Sequence, residues 1–309
     1  MADHDHHHGH DHGHSHAPAN FDRAFAIGVG LNTALVIAQI FGGIIGNSLA
    51  LLADAGHNAS DVLALLLAWG ASSLSRRPPS ARRTYGLRKS SVLASLVNAV
   101  TLLITVGAIA WEALRRLANP ETINTSIVAW TALAGIVINT ATALLFMSGR
   151  KDDLNVKGAF LHMAADAAVS AGVVVAALAI AFTGWEWLDP LVSLAIVAII
   201  TFGTWDLLRE SLDLAMDAVP DSVDRTKVEA WLGRLPGVTE VHDLHIWGMS
   251  TTETALTAHL VVPGPGPHDA LLAHACEELH EHFNIAHATI QIESGDAALA
   301  CRLAPANVV

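Results

Sequence analysis

The stretch Leu52-Ala53-Asp54-Ala55-Gly56-His57-Asn58-Ala59-Ser60-Asp61 sets two carboxylates and an imidazole inside a segment that is otherwise apolar and long enough to cross a bilayer. In a helix, His57 and Asp61 are one turn apart and share a face, and Asp54 lies on the same stripe. His162 and Asp166 repeat the spacing in a second apolar segment. Two His and two Asp on two helices match the four N/O ligands of a tetrahedral Zn²⁺ site. An ionisable residue inside a membrane costs roughly 2.5–3.5 kcal/mol even on the lenient insertion scale, so each of these carboxylates calls for a partner or a water-filled pathway. A single His–Asp pair is read equally well as the closing of a polar gap between helices. Two identical pairs on separate spans point instead to a metal or proton pathway. Asp54 is expected to orient an imidazole from behind rather than to serve as a fifth ligand.

Composition supports a membrane setting. Of the 309 residues, 52% are hydrophobic and only 15% charged, with a mean hydropathy of +0.43; soluble chains carry about 25% charged residues. The deficit is uneven: residues 21–216 are nearly all apolar runs, whereas 217–309 have an ordinary soluble composition. A formal net charge of −12 excludes a nucleic-acid footprint, which needs a basic face. Two cysteines, Cys276 and Cys301, make no disulfide framework and fit a reducing compartment. The N-terminus shows no signal-peptide pattern, so the first helix is expected to act as its own insertion signal.

Residues 3–16 alternate His with Asp and Gly. They cannot form a core and read as a disordered metal-collecting tail over residues 1–20, the interspersed Asp and Gly setting it apart from a purification tag. Six apolar segments follow, at about 22–45, 48–74, 90–115, 125–147, 156–183 and 188–211, each near the ~20 residues that span a bilayer. Arg76, Arg77, Arg82, Arg83, Arg88 and Lys89 lie between the second and third, and Arg150, Lys151 and Lys157 between the fourth and fifth. The positive-inside rule puts these loops, and with six spans both termini, in the cytoplasm. Arg115 and Arg116 argue the other way and are outnumbered; Trp111, Trp185 and Trp187 suit an outer interfacial belt. Gly42, Gly43, Gly46 and the alanines around Asp166 read as close helix packing. Asn32, Asn139 and Asn155 read as interhelical hydrogen-bonding residues, with lining of the pathway as the alternative.

From Val219 onward the pattern changes. A helix is expected over Asp224–Leu235, strands over Val238–Trp247 and Thr254–Val262, a helix over His268–Phe283 and a strand over Ala286–Glu293, with a loop at Gly264–Pro267. This αββαβ order predicts a small open-faced α/β sandwich. The expected layout is thus an α-helical membrane protein with six transmembrane helices over 21–216, a soluble α/β domain over 217–295 and a frayed tail over 296–309. On the strands, His259, Gln291 and Glu293 project to the face opposite Leu260, Ile290 and Ile292. His242, His268, His274, His280, His282 and His287 read as solvated surface histidines.

Five motifs carry a family resemblance. They are Ser48–Asp61, Tyr85-Gly86, Gly158–Asp166, Asp189-Pro190 and His242-Asp-Leu-His-Ile-Trp247. Together the chain resembles the cation diffusion facilitator family over about residues 20–295. The resemblance implies a homodimeric metal–proton antiporter of six spans with a cytoplasmic metallochaperone-like (ferredoxin-like) domain. It implies a transport site of His57, Asp61, His162 and Asp166, and a regulatory metal in the soluble domain, matched here to His245, His259 and Glu293. It also implies that Lys89 pairs with an acidic group near the end of the sixth span, Asp213 or Asp217 here; a Lys snorkelling at a helix end is the other reading. The chain departs from the pattern at Ser91, where members commonly carry Glu.

The expected function is proton-coupled efflux of divalent cations, Zn²⁺ foremost, from the cytoplasm across the inner (plasma) membrane by alternating access. Metal binding to imidazole and carboxylate releases protons, and protonation releases metal. Zn²⁺ is expected as transported substrate and as regulatory ligand, with protons as counter-ion, membrane lipid as surroundings and no organic cofactor. Cobalt, cadmium or nickel preference is the alternative within the class. A membrane-embedded zinc enzyme and a metal sensor are rivals from other classes; no HExxH motif is present for the first, and a six-span body with buried carboxylates is excessive for the second.

Overall fold

The computed structural model describes residues 20–75, 77–146, 154–264, 267–296, 301, 303 and 304. The His-rich tail, Arg76, Arg150, Lys151, part of the Gly264–Pro267 loop and most of the C-terminal tail lie outside the described residues. Six long helices come first: α1 Asn20–Gly46, α2 Leu49–Ser75, α3 Ser90–Ala118, α4 Thr125–Phe146, α5 Leu154–Thr183 and α6 Leu188–Ala215. After them come α7 Arg225–Leu232, β1 Glu240–Gly248, β2 Thr254–Val261, α8 Asp269–Phe283 and β3 Ile285–Glu293.

Among the described residues, five helices are long and apolar enough to cross a membrane: those at Gly28–Gly46, Ser90–Ala118, Thr125–Leu144, Phe160–Thr183 and Leu188–Ala215. The second helix, 27 residues long, is not among them. Its interior carries Asp54, His57, Asn58 and Asp61, and these polar groups lower its apolar character.

The chain divides into two compact units. One runs to Asn58 and from Glu121 to Val192; the other covers Ala59–Pro120 and Ser193–Val309. The boundaries fall inside α2 and α6, so each of those helices contributes to both.

In the first unit, small residues bring α1 against α4. A Cβ on Gly42 would stand 2.6 Å from Oγ1 of Thr131, and one on Gly46 would stand 2.9 Å from the Val128 side chain. The expectation of close packing at these glycines matches that geometry. On α5, in contrast, Ala165 and Ala168 are exposed. The start of α2 is capped twice. The Leu51 N–H donates to Ser48 Oγ (3.2 Å), the Ser48 hydroxyl to Asp189 Oδ1 (2.5 Å) and the Leu49 N–H to Asp189 Oδ2 (2.8 Å). A carboxylate suits a helix N-terminus, whose first N–H groups have no partner within the helix. The Asp189-Pro190 motif therefore fixes where α2 begins.

In the second unit, the soluble elements form a three-stranded sheet in the order β1-β2-β3. β1 and β2 pair antiparallel, and β3 returns through α8 to lie parallel to β2. Val228 and Leu232 of α7, Leu256, Ala258 and Leu260 of β2 and Ala275 and Leu279 of α8 fill one core. α7 is shorter than the sequence predicts, ending before Gly233-Arg234-Leu235. β1 carries a bulge: His242 pairs with His259 but His245 with Thr257, so β1 spends one extra residue there. Asp243 sits in that bulge with a left-handed φ of 50°, a conformation Asp tolerates better than most residues.

Candidate metal centres

In the first unit α2 and α5 bring His57, His162 and Asp166 together. His57 Nε2 lies 3.4 Å from Asp166 Oδ1, and His162 Nε2 lies 3.7 Å from Asp166 Oδ2. The two imidazoles meet edge to face, with ring centroids 5.6 Å apart. Asp166 is 1% exposed, and its Oδ2 is buried without a hydrogen-bond partner. Asp61 follows His57 by one turn on α2, in the part of that helix that belongs to the second unit. Ligands about 2.1 Å from a tetrahedral metal stand roughly 3.4 Å from one another, close to the His57–Asp166 separation.

Behind these residues lies a buried polar network. Gln39 Nε2 donates to Asp54 Oδ2 (2.6 Å), Ser170 Oγ donates to the same oxygen (2.9 Å), and Asn58 Nδ2 donates to Gln39 Oε1 (3.0 Å). Asp54, Gln39, Asn58 and Ser170 are all fully buried. Asp54 is thus held by a side chain from α1 and one from α5, locking together the helices that carry the imidazoles. Sequence reasoning passed over Gln39 and Ser170, although a polar residue inside an apolar run was the available signal. Asn139 does not fit its expected role, since it is buried and neither polar atom of its side chain has a hydrogen-bond partner. The Oδ1 of Asn32 is also unpartnered, and the Asn155 side chain lies outside the described residues.

The soluble domain holds a second cluster. His242, His259, Glu293 and Cys301 each offer a ligand atom, all within 4.8 Å of one another. His242 corrects the sequence reading: it is buried, at 9% exposure, and not a solvated surface histidine. His245 is not in the cluster. Its Nε2 contacts Asp243 Oδ1 at 2.9 Å, and Asp243 Oδ2 lies 3.5 Å from His259 Nε2. His245 therefore steadies the carboxylate that backs His259.

The second unit also ties α3 to the soluble domain. Lys89 pairs with Asp217, one of its two expected partners, and Arg88 Nη1 contacts Glu253 Oε1 at 2.6 Å. Ser91 Oγ accepts from the Thr251 N–H (3.1 Å), so the departure at this position still makes a contact across to the soluble domain.

Residues 25–214 match the cation efflux transmembrane domain, and residues 220–295 match the cation efflux protein cytoplasmic domain. The chain belongs to the cation efflux family. It is similar to the metal cation efflux system protein CzcD of Cupriavidus metallidurans, 36% identical over 93% of each chain. It is also similar to the zinc transporter ZitB of Escherichia coli, 36% identical over 89% of this chain and 88% of the relative. A cadmium, cobalt and zinc/H(+)-K(+) antiporter of Bacillus subtilis is 33% identical over 87% of this chain and 89% of its own. Among solved structures, the metal-bound C-terminal domain of a CzcD transporter matches 23% of this chain and 99% of its own, at 36% identity and a TM-score of 0.22. Membership of the cation efflux family makes the chain an integral membrane transporter and not an enzyme.

Proposed function

We propose that the chain exports divalent cations, Zn²⁺ foremost, from the cytoplasm in exchange for protons. His57, Asp61, His162 and Asp166 bind the transported ion. The observation that carries this reading is the meeting of two imidazoles at the buried Asp166, whose Oδ2 has no hydrogen-bond partner. A carboxylate oxygen left bare away from water is destabilising unless something takes it up, and a cation with imidazole neighbours does so. Because the ion binds neutral imidazole and ionised carboxylate, protons and metal compete for the same atoms. The names of the zinc-transporting and antiporting relatives support both the cargo and the exchange.

The same reading makes α2 the sixth span, its polar interior facing the transport pathway and not lipid. It places the basic loops and both termini in the cytoplasm. Domains run 1–20, 21–216, 217–295 and 296–309, and the working unit is a homodimer. Regulatory metal binds in the soluble domain at His259 and Glu293, with His242 beside them and His245 behind.

The test is Zn²⁺ uptake into proteoliposomes under an imposed pH gradient. Asp61→Ala and Asp166→Ala should each cut proton-driven uptake at least tenfold while leaving the solubilised protein folded. Wild-type rates in either variant would remove that residue from the mechanism. Competition among Zn²⁺, Co²⁺, Cd²⁺ and Ni²⁺ in the same assay ranks the cargo.

A further inference from the structure

We propose that Cys301 supplies a thiolate as fourth ligand to the soluble-domain site, making it a mixed nitrogen, oxygen and sulfur site for thiophilic divalent cations. The proposal rests on the reading of this domain as metal-binding and adds the sulfur to it.

Four observations converge. The ligand atoms of His242, His259, Glu293 and Cys301 all lie within 4.8 Å of one another. Cys301 Sγ is 3.4 Å from His259 Nδ1, and His242 Nε2 is 3.4 Å from Glu293 Oε2. Those separations match the roughly 3.4–3.8 Å edges of a tetrahedron with nitrogen, oxygen and sulfur ligands about 2.0–2.3 Å from a central ion. Glu293 Oε1 closes a third edge at 3.0 Å from His259 Nδ1.

Each imidazole is also backed by a carboxylate on its other nitrogen. His242 Nδ1 lies 3.6 Å from Glu240 Oε1, and His259 Nε2 lies 3.5 Å from Asp243 Oδ2. These carboxylates stand just outside hydrogen-bond reach, placed to accept from the ring N–H that a metal on the opposite nitrogen would fix. Finally, both ring nitrogens of His242 are buried without a hydrogen-bond partner. A buried imidazole with no hydrogen bond is destabilising, and a cation at the centre of the cluster satisfies the nitrogen that faces it.

The sulfur changes what the site selects. His57, Asp61, His162 and Asp166 offer only nitrogen and oxygen, whereas a thiolate favours softer ions, Cd²⁺ and Zn²⁺ over Mn²⁺ and Mg²⁺. The two sites of one chain therefore rank cations differently, with the soluble one the more thiophilic.

The test titrates Cd²⁺ into the purified full chain and follows thiolate-to-cadmium charge-transfer absorption in the ultraviolet. The chain has two cysteines, so the band reports on them and not on the His-rich N-terminal residues. Wild type and Cys276→Ser should develop the band. Cys301→Ser should lose it and bind Cd²⁺ in the soluble domain at least tenfold more weakly, since even a residue behind a ligand is worth about 10- to 100-fold. Zn²⁺ should also protect Cys301 from iodoacetamide in Cys276→Ser, a readout that leaves every proposed ligand intact. Absence of the band in wild type, its persistence in Cys301→Ser or unchanged alkylation with Zn²⁺ overturns the proposal. If the band is absent while His242→Ala still weakens calorimetric Zn²⁺ binding, the sulfur falls and the metal-binding domain stands. If His242→Ala changes nothing either, both fall.

Discussion

At the residue scale, Asp54 shows how much of this chain rests on one buried carboxylate. It receives Gln39 and Ser170 on a single oxygen, with no part of it exposed. Asp54→Leu would leave the Gln39 amide and the Ser170 hydroxyl buried without their acceptor, at about 1–3 kcal/mol for each group. Thermal unfolding of the solubilised protein should show that loss. Asp54→Asn keeps an acceptor oxygen and should lose distinctly less. Equal losses in the two variants would assign the effect to charge and not to hydrogen bonding. The candidate membrane cluster was legible in sequence because helical spacing is regular: the four-residue step from His162 to Asp166 fixes a shared face, and the structure brings His57 to the same carboxylate. The soluble cluster was only half legible. His245 entered only through the family resemblance, which matched it with His259 and Glu293. The bulge at Asp243 inserts one residue and swings His242 onto the side where His259 projects, while Leu244 stays in the core. No spacing rule announces a bulge, and Cys301 lies beyond the last strand, where periodicity says nothing.

At the scale of elements, caps and close contacts set where helices start and how near they come. Asp224 caps α7, accepting from the backbone N–H groups of Thr226 and Lys227. The Lys227 N–H and then its ammonium hold the Asp224 carboxyl below its ordinary value of 3.8. A depressed carboxyl contributes stability that is present above 3.8 and fades as pH falls through the lower, folded-state value. Asn keeps the capping oxygen without the charge. Asp224→Asn should therefore unfold at a lower temperature than wild type at neutral pH, and the two curves should converge below about pH 4. In the membrane part, Gly42 offers a steric counterpart. Gly42→Ala would press a Cβ onto Thr131, at 2.6 Å from Oγ1 and 2.8 Å from Cγ2. Overpacking of that kind costs about 1–3 kcal/mol. Thr131→Ala removes both atoms and should restore part of the loss, which a double-mutant cycle on thermal stability measures. The existence of the helices and of the three strands could be read from hydrophobic period. The Gly42–Thr131 contact could not, because it depends on which faces of α1 and α4 meet.

At the scale of the whole molecule, a metal bound at the proposed soluble site would have to be felt at α3 to regulate transport. Within the second unit, the turn between β1 and β2 is fastened to the start of α3 by Arg88–Glu253 and by the Thr251 N–H on Ser91. His242 and His259 sit at the far end of that same hairpin, six residues and roughly 20 Å from Gly248 at about 3.3 Å per residue. A hairpin whose two strands are joined by backbone hydrogen bonds moves as one piece, so a shift at the end carrying His242 and His259 would reach α3 through the turn. Lys89–Asp217 supplies a second fastening between the start of α3 and the segment after α6. Lys89 and Asp217 are 42% and 58% exposed, so their pair should contribute under about 1 kcal/mol to stability. Its value lies in register. Lys89→Asp should leave the unfolding temperature nearly unchanged yet reduce Zn²⁺ flux severalfold, because two like charges then face each other where the domains join. Adding Asp217→Lys restores an opposite pair and should return most of the flux. If the double variant is no better than Lys89→Asp alone, the Lys side chain matters for something other than its pairing, and the register argument fails at that contact while Arg88–Glu253 remains to carry it.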